Sequence, residues 1–180
     1  MPTGDEHDHV EKQLHDHAYG ITSDPLTQFA CIFAALVHDV DHPGVPNSQL
    51  IKEKASIAIV YKDKSVAEQN SVDLAWDLLM GEDFIDLRRC IYQTDSEFKR
   101  FRQLVVNAVM ATDIMDKDLK AFRNSRWEQK AIDGNQEEHS EESANRKATI
   151  VIEYLIQASD AAHTMQHWHV YRKWNANLFK

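Results

Sequence analysis

Glycine and proline are scarce in most of this chain, and their scarcity limits the folds that it can adopt. All four prolines lie at or before Pro46, and only Gly81 and Gly134 occur after it. Because glycine and proline mark turns and hairpins, so few of them favour long helices over a sheet. With 180 residues, of which 43% are hydrophobic, the chain can bury the core of one domain. We therefore predict a single all-α domain.

Apolar residues recur at helical spacing in several segments. The first predicted helix begins at Asp24, an N-cap followed by proline, and is stopped by Pro43 and Gly44. Its expected buried face consists of Leu26, Phe29, Phe33, Leu36, Val37 and Val40. Further helices are predicted over 66–80, 96–112 and 118–127, from Arg146 onward, and from Trp168 to the C-terminus. Segments 1–24 and 133–145 are polar, acidic and without periodicity, so we predict an N-terminal segment and a solvated loop.

Charge and hydropathy exclude several classes of function. The net charge of -9 argues against a surface that binds DNA or RNA, since such surfaces carry excess lysine and arginine. The longest apolar run covers nine residues, 29–37, whereas a membrane span needs about 20. We expect neither a membrane-inserted segment nor a secretory signal.

The cysteine count indicates the compartment. Cys31 and Cys90 are too few for a disulfide framework, and each lies among apolar residues. We predict that both are buried thiols without a catalytic role. The expected location is the cytoplasm, or the cytosolic face of a membrane if the protein is tethered there.

The most specific segment for chemistry runs from His38 to Gly44 and reads HDVDHPG. His38 and Asp39 offer a neutral nitrogen and an anionic oxygen side by side, a pair that suits zinc or a mixed zinc and magnesium site. An isolated His-Asp pair is typical of a solvated helix end. Two histidines, two aspartates and a Pro-Gly stop behind an apolar helix favour a metal centre instead.

This segment resembles the signature of the class I cyclic nucleotide phosphodiesterases, whose catalytic domains are compact multi-helix domains of the HD type. Three further segments resemble other motifs of the family and occur in the same order. They are Ser65-Val66-Ala67-Glu68-Gln69-Asn70, Ala111-Thr112-Asp113-Ile114, and Ala158-Ser159-Asp160 with Tyr171-Arg172-Lys173-Trp174. The likeness implies that residues 25–180 form a partial phosphodiesterase catalytic domain, truncated at both ends. It also implies that the domain belongs to a larger multidomain signalling protein.

The resemblance implies a site with two divalent metal ions, zinc and magnesium or manganese, that hydrolyses cyclic AMP or cyclic GMP to the 5′-monophosphate. His38, Asp39 and Asp160 would bind the metals, with Asp39 bridging the two ions. The assignment of Asp160 depends mainly on the resemblance. From the residues alone, it continues a stripe of Glu153 and Gln157 that could equally be a solvated face.

The resemblance also gives outer roles to His42, Glu68 and Thr112, which would hold the waters of the second ion. Thr112 shares its predicted helical face with Phe101 and Val105. Its hydroxyl should therefore point toward the core and need a partner. The alternative is that this hydroxyl bonds back to its own helix.

The sequence departs from the family at three places. The histidine motif that supplies a general acid and the fourth zinc ligand is not found, since His15 and His17 fit the acidic N-terminal segment better. The purine-binding residues would lie beyond Lys180. His163 stands three positions after Asp160, where the family has a substrate-contacting asparagine. It is either a substrate-binding residue or a partly exposed histidine without a role.

Three hypotheses remain open from the sequence. The first is a fragment of a cyclic nucleotide phosphodiesterase, in which case the 180-residue chain alone should be nearly inactive and should bind zinc poorly. The second is a non-catalytic remnant that binds metal weakly and serves as a regulatory surface. The third is another HD-type phosphohydrolase, such as a nucleotidase, which the four ordered motifs disfavour.

Overall fold

The computed structural model describes the backbone of residues 21, 24–133 and 141–178, and their side chains except those of 127–147, 163 and 178. Every regular element within these residues is a helix, so the predicted all-α class is confirmed. None of these helices has the length and apolar character required to cross a bilayer. Most of the predicted N-terminal segment, 1–24, lies outside the described residues.

The chain forms long helices joined by short turns. In order they are α1 (Pro25–Val37), α2 (Asn47–Lys52), α3 (Ser56–Val60), α4 (Val66–Met80), α5 (Ile85–Ile91), α6 (Asp95–Ala111), α7 (Lys117–Asp133), α8 (Glu141–Ala161) and α9 (Trp168–Leu178), with 3₁₀ turns at Glu82–Phe84 and Ala162–Met165. The prediction for α4 is confirmed at both ends. That for α6 differs by one residue at each end.

The acidic segment 133–145 is predicted as a loop, whereas the residues described at its two ends are helical. Asp133 ends α7 and residues 141–145 begin α8, whereas 134–140 lie outside the described residues. Helix α7 therefore extends beyond the predicted 118–127, and α8 begins before Arg146. Acidic residues in the first turn of a helix interact favourably with its dipole, so their lack of apolar periodicity does not prevent a helix.

Helix α6 lies at the centre of the fold and packs against α1, α4 and α8. Phe101 on α6 is 0% exposed. Its ring lies 5.7–6.2 Å, between centroids, from the rings of Phe29, Phe33, Trp76 and Tyr92. Because this cluster joins α1, α4 and α6 with the chain after α5, it fixes the helices that carry the candidate site.

The buried face of α1 differs from the predicted one. The helix buries Thr27, Ala30, Ala34 and Val37, whereas Leu36 is 76% exposed. It also ends at Val37, so Val40 lies in the following turn. The segment 29–37 is apolar on every side, and periodicity therefore cannot select its buried face. The two small alanines permit the close approach of α6 that the larger side chains would prevent.

Cys90 is exposed, so its prediction as a buried thiol is wrong. It lies on α5, a short helix that has no buried residues. The apolar neighbours of Cys90 therefore do not indicate burial. Cys31 is half-buried on α1, and burial raises the pKa of its thiol.

The N-terminus of α1 is tied to α6 through Asp24. The Asp24 carboxylate accepts a hydrogen bond from the Leu26 N–H at 3.2 Å and forms an ion pair with Arg100. It also accepts from the Thr27 hydroxyl. Partial burial opposes ionisation of Asp24, but the hydrogen bonds from Thr27 and Arg100 outweigh it and hold the pKa of the carboxyl below its ordinary 3.8.

We expect Asp24→Ala to lower the free energy of unfolding by about 1–2 kcal/mol at pH 7, the usual effect of losing a helix cap. A depressed pKa contributes stability above the unfolded value near 3.8, and this contribution is lost as the pH falls through the folded value. The difference between wild type and variant should therefore narrow in acid. Urea unfolding of the wild type and the variant, at pH 7 and again in acid, measures this difference. A difference that does not change with pH, or an equal loss in the exposed control Asp77→Ala, would contradict the assignment.

Candidate metal and phosphate site

The segment 38–44 forms a tight turn directly after α1. Asp41 has a left-handed backbone (φ 59°), and the His42 N–H donates to the Asp39 carbonyl at 3.1 Å. Helix α4 holds this turn in place. The Ser71 hydroxyl donates to the Val40 carbonyl at 2.8 Å, and the Asn70 amide donates to Asp41 at 3.3 Å.

His38 lies between two carboxylates. Its Nε2 is 3.5 Å from an oxygen of Asp39 and 3.6 Å from an oxygen of Asp160. Asp160 comes from α8, far away in the sequence. The structure thus brings together the three residues predicted as metal ligands, although their roles as ligands stay a prediction.

The hydrogen bonding of His38 favours a cation at this point. Its Nδ1 lies 2.9 Å from the Ala35 carbonyl, which can only accept, so Nδ1 carries the proton. In the neutral ring, Nε2 is then an acceptor that faces the acceptor oxygens of Asp39 and Asp160. This nitrogen is buried and has no hydrogen-bond partner within the described part of the chain. A divalent cation would satisfy all three groups.

The ligand set among the described residues is nevertheless incomplete. No group of three or more His, Cys, Asp or Glu side chains within them converges closely enough to hold a metal ion as they stand. The side chains of Asp39 and Asp160 are 64% and 47% exposed, which leaves both carboxylates room to reorient. The donor types therefore fit a divalent metal, whereas their present geometry does not enclose one.

Two further carboxylates meet through Asn47. The Nδ2 of Asn47 donates to Glu68 at 2.8 Å and to Asp113 at 3.3 Å, and its Oδ1 accepts from the Ala67 N–H at 3.0 Å. Asp113 is buried, and its second oxygen accepts the N–H groups of Met115 and Asp116, both at 3.1 Å. One asparagine thus joins the start of α2, the first turn of α4 and the residue after Thr112.

The charge on Glu68 is poorly compensated. Burial raises the pKa of its carboxyl; the hydrogen bond from Asn47 lowers it, the charge of Asp113 raises it further, and His42 lowers it. A cation nearby would favour the ionised form of Glu68. His42 itself is exposed, and its Nδ1 accepts from the Gly44 N–H at 3.1 Å.

Thr112 bonds back to its own helix, which was the alternative to a partner in the core. Its hydroxyl donates to the Val109 carbonyl at 2.7 Å, just past the end of α6. The neighbouring Ala111 carbonyl accepts from Gln157 on α8 at 2.5 Å. Glu153 is buried on the same helix, so the Glu153/Gln157 stripe is not a solvated face.

His163 lies in the 3₁₀ turn Ala162–Met165, and its side chain is outside the described residues, so its substrate-binding role stays a prediction. Sequence reasoning missed Asn47 and assigned no role to Asp113. Asp113 had a signal, because it follows Thr112 within the Ala-Thr-Asp motif. Asn47 directly follows Pro46, just after the metal segment, and no local pattern distinguishes it from a turn residue.

We expect Asn47→Ala to lower the free energy of unfolding by about 1–3 kcal/mol, because it leaves the buried Asp113 and half-buried Glu68 without their shared donor. Chemical denaturation measures this change. Ser48→Ala, at an exposed neighbouring position on α2, is the matched control and should change stability little. Equal stability of the two variants would contradict a structural role for the network.

The chain is similar to known proteins over most of its length. The family model for 3′5′-cyclic nucleotide phosphodiesterase matches residues 11–180. The chain is 27% identical over 157 residues to the dual specificity calcium/calmodulin-dependent 3′,5′-cyclic nucleotide phosphodiesterase 1C of Homo sapiens, covering 86% of the chain and 20% of that protein. It is 30% identical over 159 residues to the probable 3′,5′-cyclic-AMP phosphodiesterase pde-4 of Caenorhabditis elegans, covering 86% and 22%.

Solved structures give a similar result. The phosphodiesterase domain of the Salpingoeca rosetta rhodopsin phosphodiesterase matches with a TM-score of 0.69 and 25% identity, over 90% of the chain and 49% of that domain. A second structure, the phosphodiesterase domain of the RhoPDE fusion protein from the same organism, matches with a TM-score of 0.67 and 24% identity, over 86% and 46%. The chain thus spans about a fifth of these curated relatives and about half of the solved domains.

Proposed function

Because the chain belongs to the 3′5′-cyclic nucleotide phosphodiesterase family, we propose that its complete gene product hydrolyses cyclic AMP, cyclic GMP or both to the 5′-monophosphate. The observation that carries this proposal is the buried, unpartnered Nε2 of His38 between the carboxylates of Asp39 and Asp160. A divalent cation would satisfy all three groups, and phosphodiester hydrolysis is chemistry that divalent cations support.

Members of the family use divalent metal ions, and we assign zinc and magnesium, or manganese, to this protein. His38 Nε2 and the carboxylates of Asp39 and Asp160 would hold them, with Asp39 shared between two ions. When bound, such ions lower the pKa of a coordinated water and neutralise charge on the phosphate. Their positive charge also explains how a chain with a net charge of -9 can bind an anionic substrate.

The residues around these ligands act by orientation and by proton placement. The hydrogen bond from His38 to the Ala35 carbonyl keeps the proton on Nδ1, so that Nε2 presents its lone pair. Asn47 holds Glu68 and Asp113 together, and Glu68 with the nearby His42 would order water beside the substrate phosphate. Thr112, which directly precedes Asp113 in the sequence, would also hold waters of the second ion.

The expected biological setting follows from the relatives. Each curated relative is several times longer than this chain, so we propose that the domain works within a larger signalling protein. Its partner is the cyclic nucleotide rather than a nucleic acid polymer. We propose a cytoplasmic location on the basis of the two unpaired cysteines.

The test is to purify the complete gene product, measure its bound metal, and assay cyclic AMP and cyclic GMP with magnesium or manganese. We expect turnover of at least one substrate, loss of turnover with EDTA, and recovery when metal is restored. The 180-residue chain assayed beside it should be nearly inactive. Stoichiometric zinc and full turnover in that chain would mean that His15 or His17 completes the site.

The same assay distinguishes the alternatives. Bound metal with no turnover of either cyclic nucleotide would overturn the proposal and favour a non-catalytic regulatory domain. Hydrolysis of 5′-mononucleotides without hydrolysis of cyclic ones would favour another HD-type phosphohydrolase. Both outcomes are distinct from a folding failure, which circular dichroism would detect.

A further inference from the structure

A small pocket lies where α6, α7 and α8 meet. It encloses about 100 Å³ and is lined by Asn107, Met110, Ala111, Leu119, Phe122, Arg123, Arg126 and Glu153. A water molecule takes up about 30 Å³ in the liquid, so the pocket has room for a few waters or for one small ion. Phe122 is exposed and the Arg126 side chain is partly exposed, so that solvent reaches the pocket from their side.

Arg123 is the unusual residue of this pocket. It is only 8% exposed, and within the described part of the chain it makes no hydrogen bond or ion pair. Arginine stays charged at every physiological pH. The residue is largely buried, but none of its nitrogens is among the buried side-chain atoms without a partner in the described part of the chain, so the guanidinium reaches the solvent of the pocket. An anion in the pocket would form charge-assisted hydrogen bonds with it.

Glu153 does not supply that anion. It is 5% exposed and is already paired with Arg126 through the Nη2 of that side chain. The Nε of Arg126 is buried and unpartnered among the described residues. With two arginines and one glutamate, the charged side chains lining the pocket sum to one positive charge, within a chain whose net charge is -9.

Asn107 contributes another donor. Its Oδ1 accepts a hydrogen bond from Gln103 at 2.7 Å, so the group that remains is the Nδ2 amine. The unused donors on the residues that line the pocket are therefore the Arg123 guanidinium, the Arg126 Nε and the Asn107 Nδ2. Donors on α6 and α7 that line one pocket suit an acceptor with several oxygens.

We propose that this pocket is a binding site for a small oxyanion, of which inorganic phosphate is the representative probe. Arg123 binds the anion directly, and the Arg126 Nε and Asn107 complete the donor set. The site is separate from the metal ligands, since none of its lining residues is His38, Asp39 or Asp160. The pocket is lined by Met110 and Ala111 in the last turn of α6, which precede Thr112. Its lining residue Glu153 stands on α8 seven residues before Asp160.

The test is a titration of the 180-residue protein with inorganic phosphate, followed by calorimetry or ³¹P line broadening, in low salt with EDTA. EDTA removes metal-dependent phosphate binding, so this experiment can fail independently of the proposed enzymatic activity. We expect saturable binding that Arg123→Met weakens about tenfold or more, the loss expected for a charge-assisted hydrogen bond. Arg102→Met, which removes the same charge from an exposed position on α6, should leave the affinity nearly unchanged.

A second variant and other anions test the remaining outcomes. Arg123→Lys keeps the charge but not the planar fork, so it should fold and bind several-fold more weakly; it serves as the deciding variant if Arg123→Met does not fold. Sulfate should compete with phosphate, whereas preferential binding of acetate would identify a carboxylate site with the same donors. The proposal would be overturned if the wild type bound none of these oxyanions, or if both Arg123 variants bound phosphate as tightly as the wild type.

Discussion

Replacement of Asp39 by alanine is expected to abolish cyclic nucleotide hydrolysis by the complete gene product and to reduce its bound metal. The Asp39 carboxylate lies 3.5 Å from His38 Nε2 and is the one ligand proposed to serve both ions. Its loss should therefore exceed the roughly 10–100-fold effect of removing an outer-shell partner. Turnover and metal content, measured on the same preparation, check this result.

Two substitutions are controls for Asp39→Ala. Asp86→Ala removes a carboxylate that is 95% exposed on α5 and should leave turnover and metal content unchanged. Glu137→Ala, in the acidic segment and outside the described residues, should also be nearly silent. Equal losses in Asp39→Ala and in either control would show that the metal assignment is wrong.

Phe101→Ala is expected to have the largest effect on stability. A fully buried phenylalanine replaced by alanine typically lowers the free energy of unfolding by about 3–5 kcal/mol. We expect Phe101→Ala to lie at the upper end of that range, because the ring of Phe101 packs against those of Phe29, Phe33, Trp76 and Tyr92. Urea or thermal unfolding measures the loss.

Phe122→Ala is the matched control, since this phenylalanine is exposed on α7 and its ring stacks under the guanidinium of Arg126, 4.8 Å from the ring centroid. Its effect should stay below about 1 kcal/mol, the magnitude of an exposed cation–π contact. A loss at Phe101 as small as that at Phe122 would mean that α1, α4 and α6 do not share one core.

The structure also exposes an apolar surface on α9, where Trp168 and Trp174 are 67% and 66% exposed. Trp168, Tyr171 and Trp174 recur at helical spacing, which indicates an apolar face that needs a partner. Among the described residues, α9 makes its principal contacts with the 3₁₀ turn before it. Periodicity thus identifies an apolar face, but it does not tell which surface will cover it.

Much of the candidate site could be named from local sequence. The segment from His38 to Gly44 combines ligand types in a few residues, and the bounds of α4 follow from Val66 and Gly81. Glu68 and Asp113 also lie within short motifs. These features depend on neighbours a few residues away, where spacing, caps and breakers act directly on the backbone.

The other contacts of the candidate site depend on which helix surfaces pack together. Asp160 reaches His38 only because α8 packs on α6 and α1, and Asn47 joins Glu68 to Asp113 only because α2 and the end of α6 approach α4. The sequence by itself determined the helical class, most helix positions and the residue types of the candidate metal site. The tertiary structure alone decided the buried face of α1 and the burial of Glu153 and Arg123, because burial is set by the complementarity of distant helices and not by local periodicity.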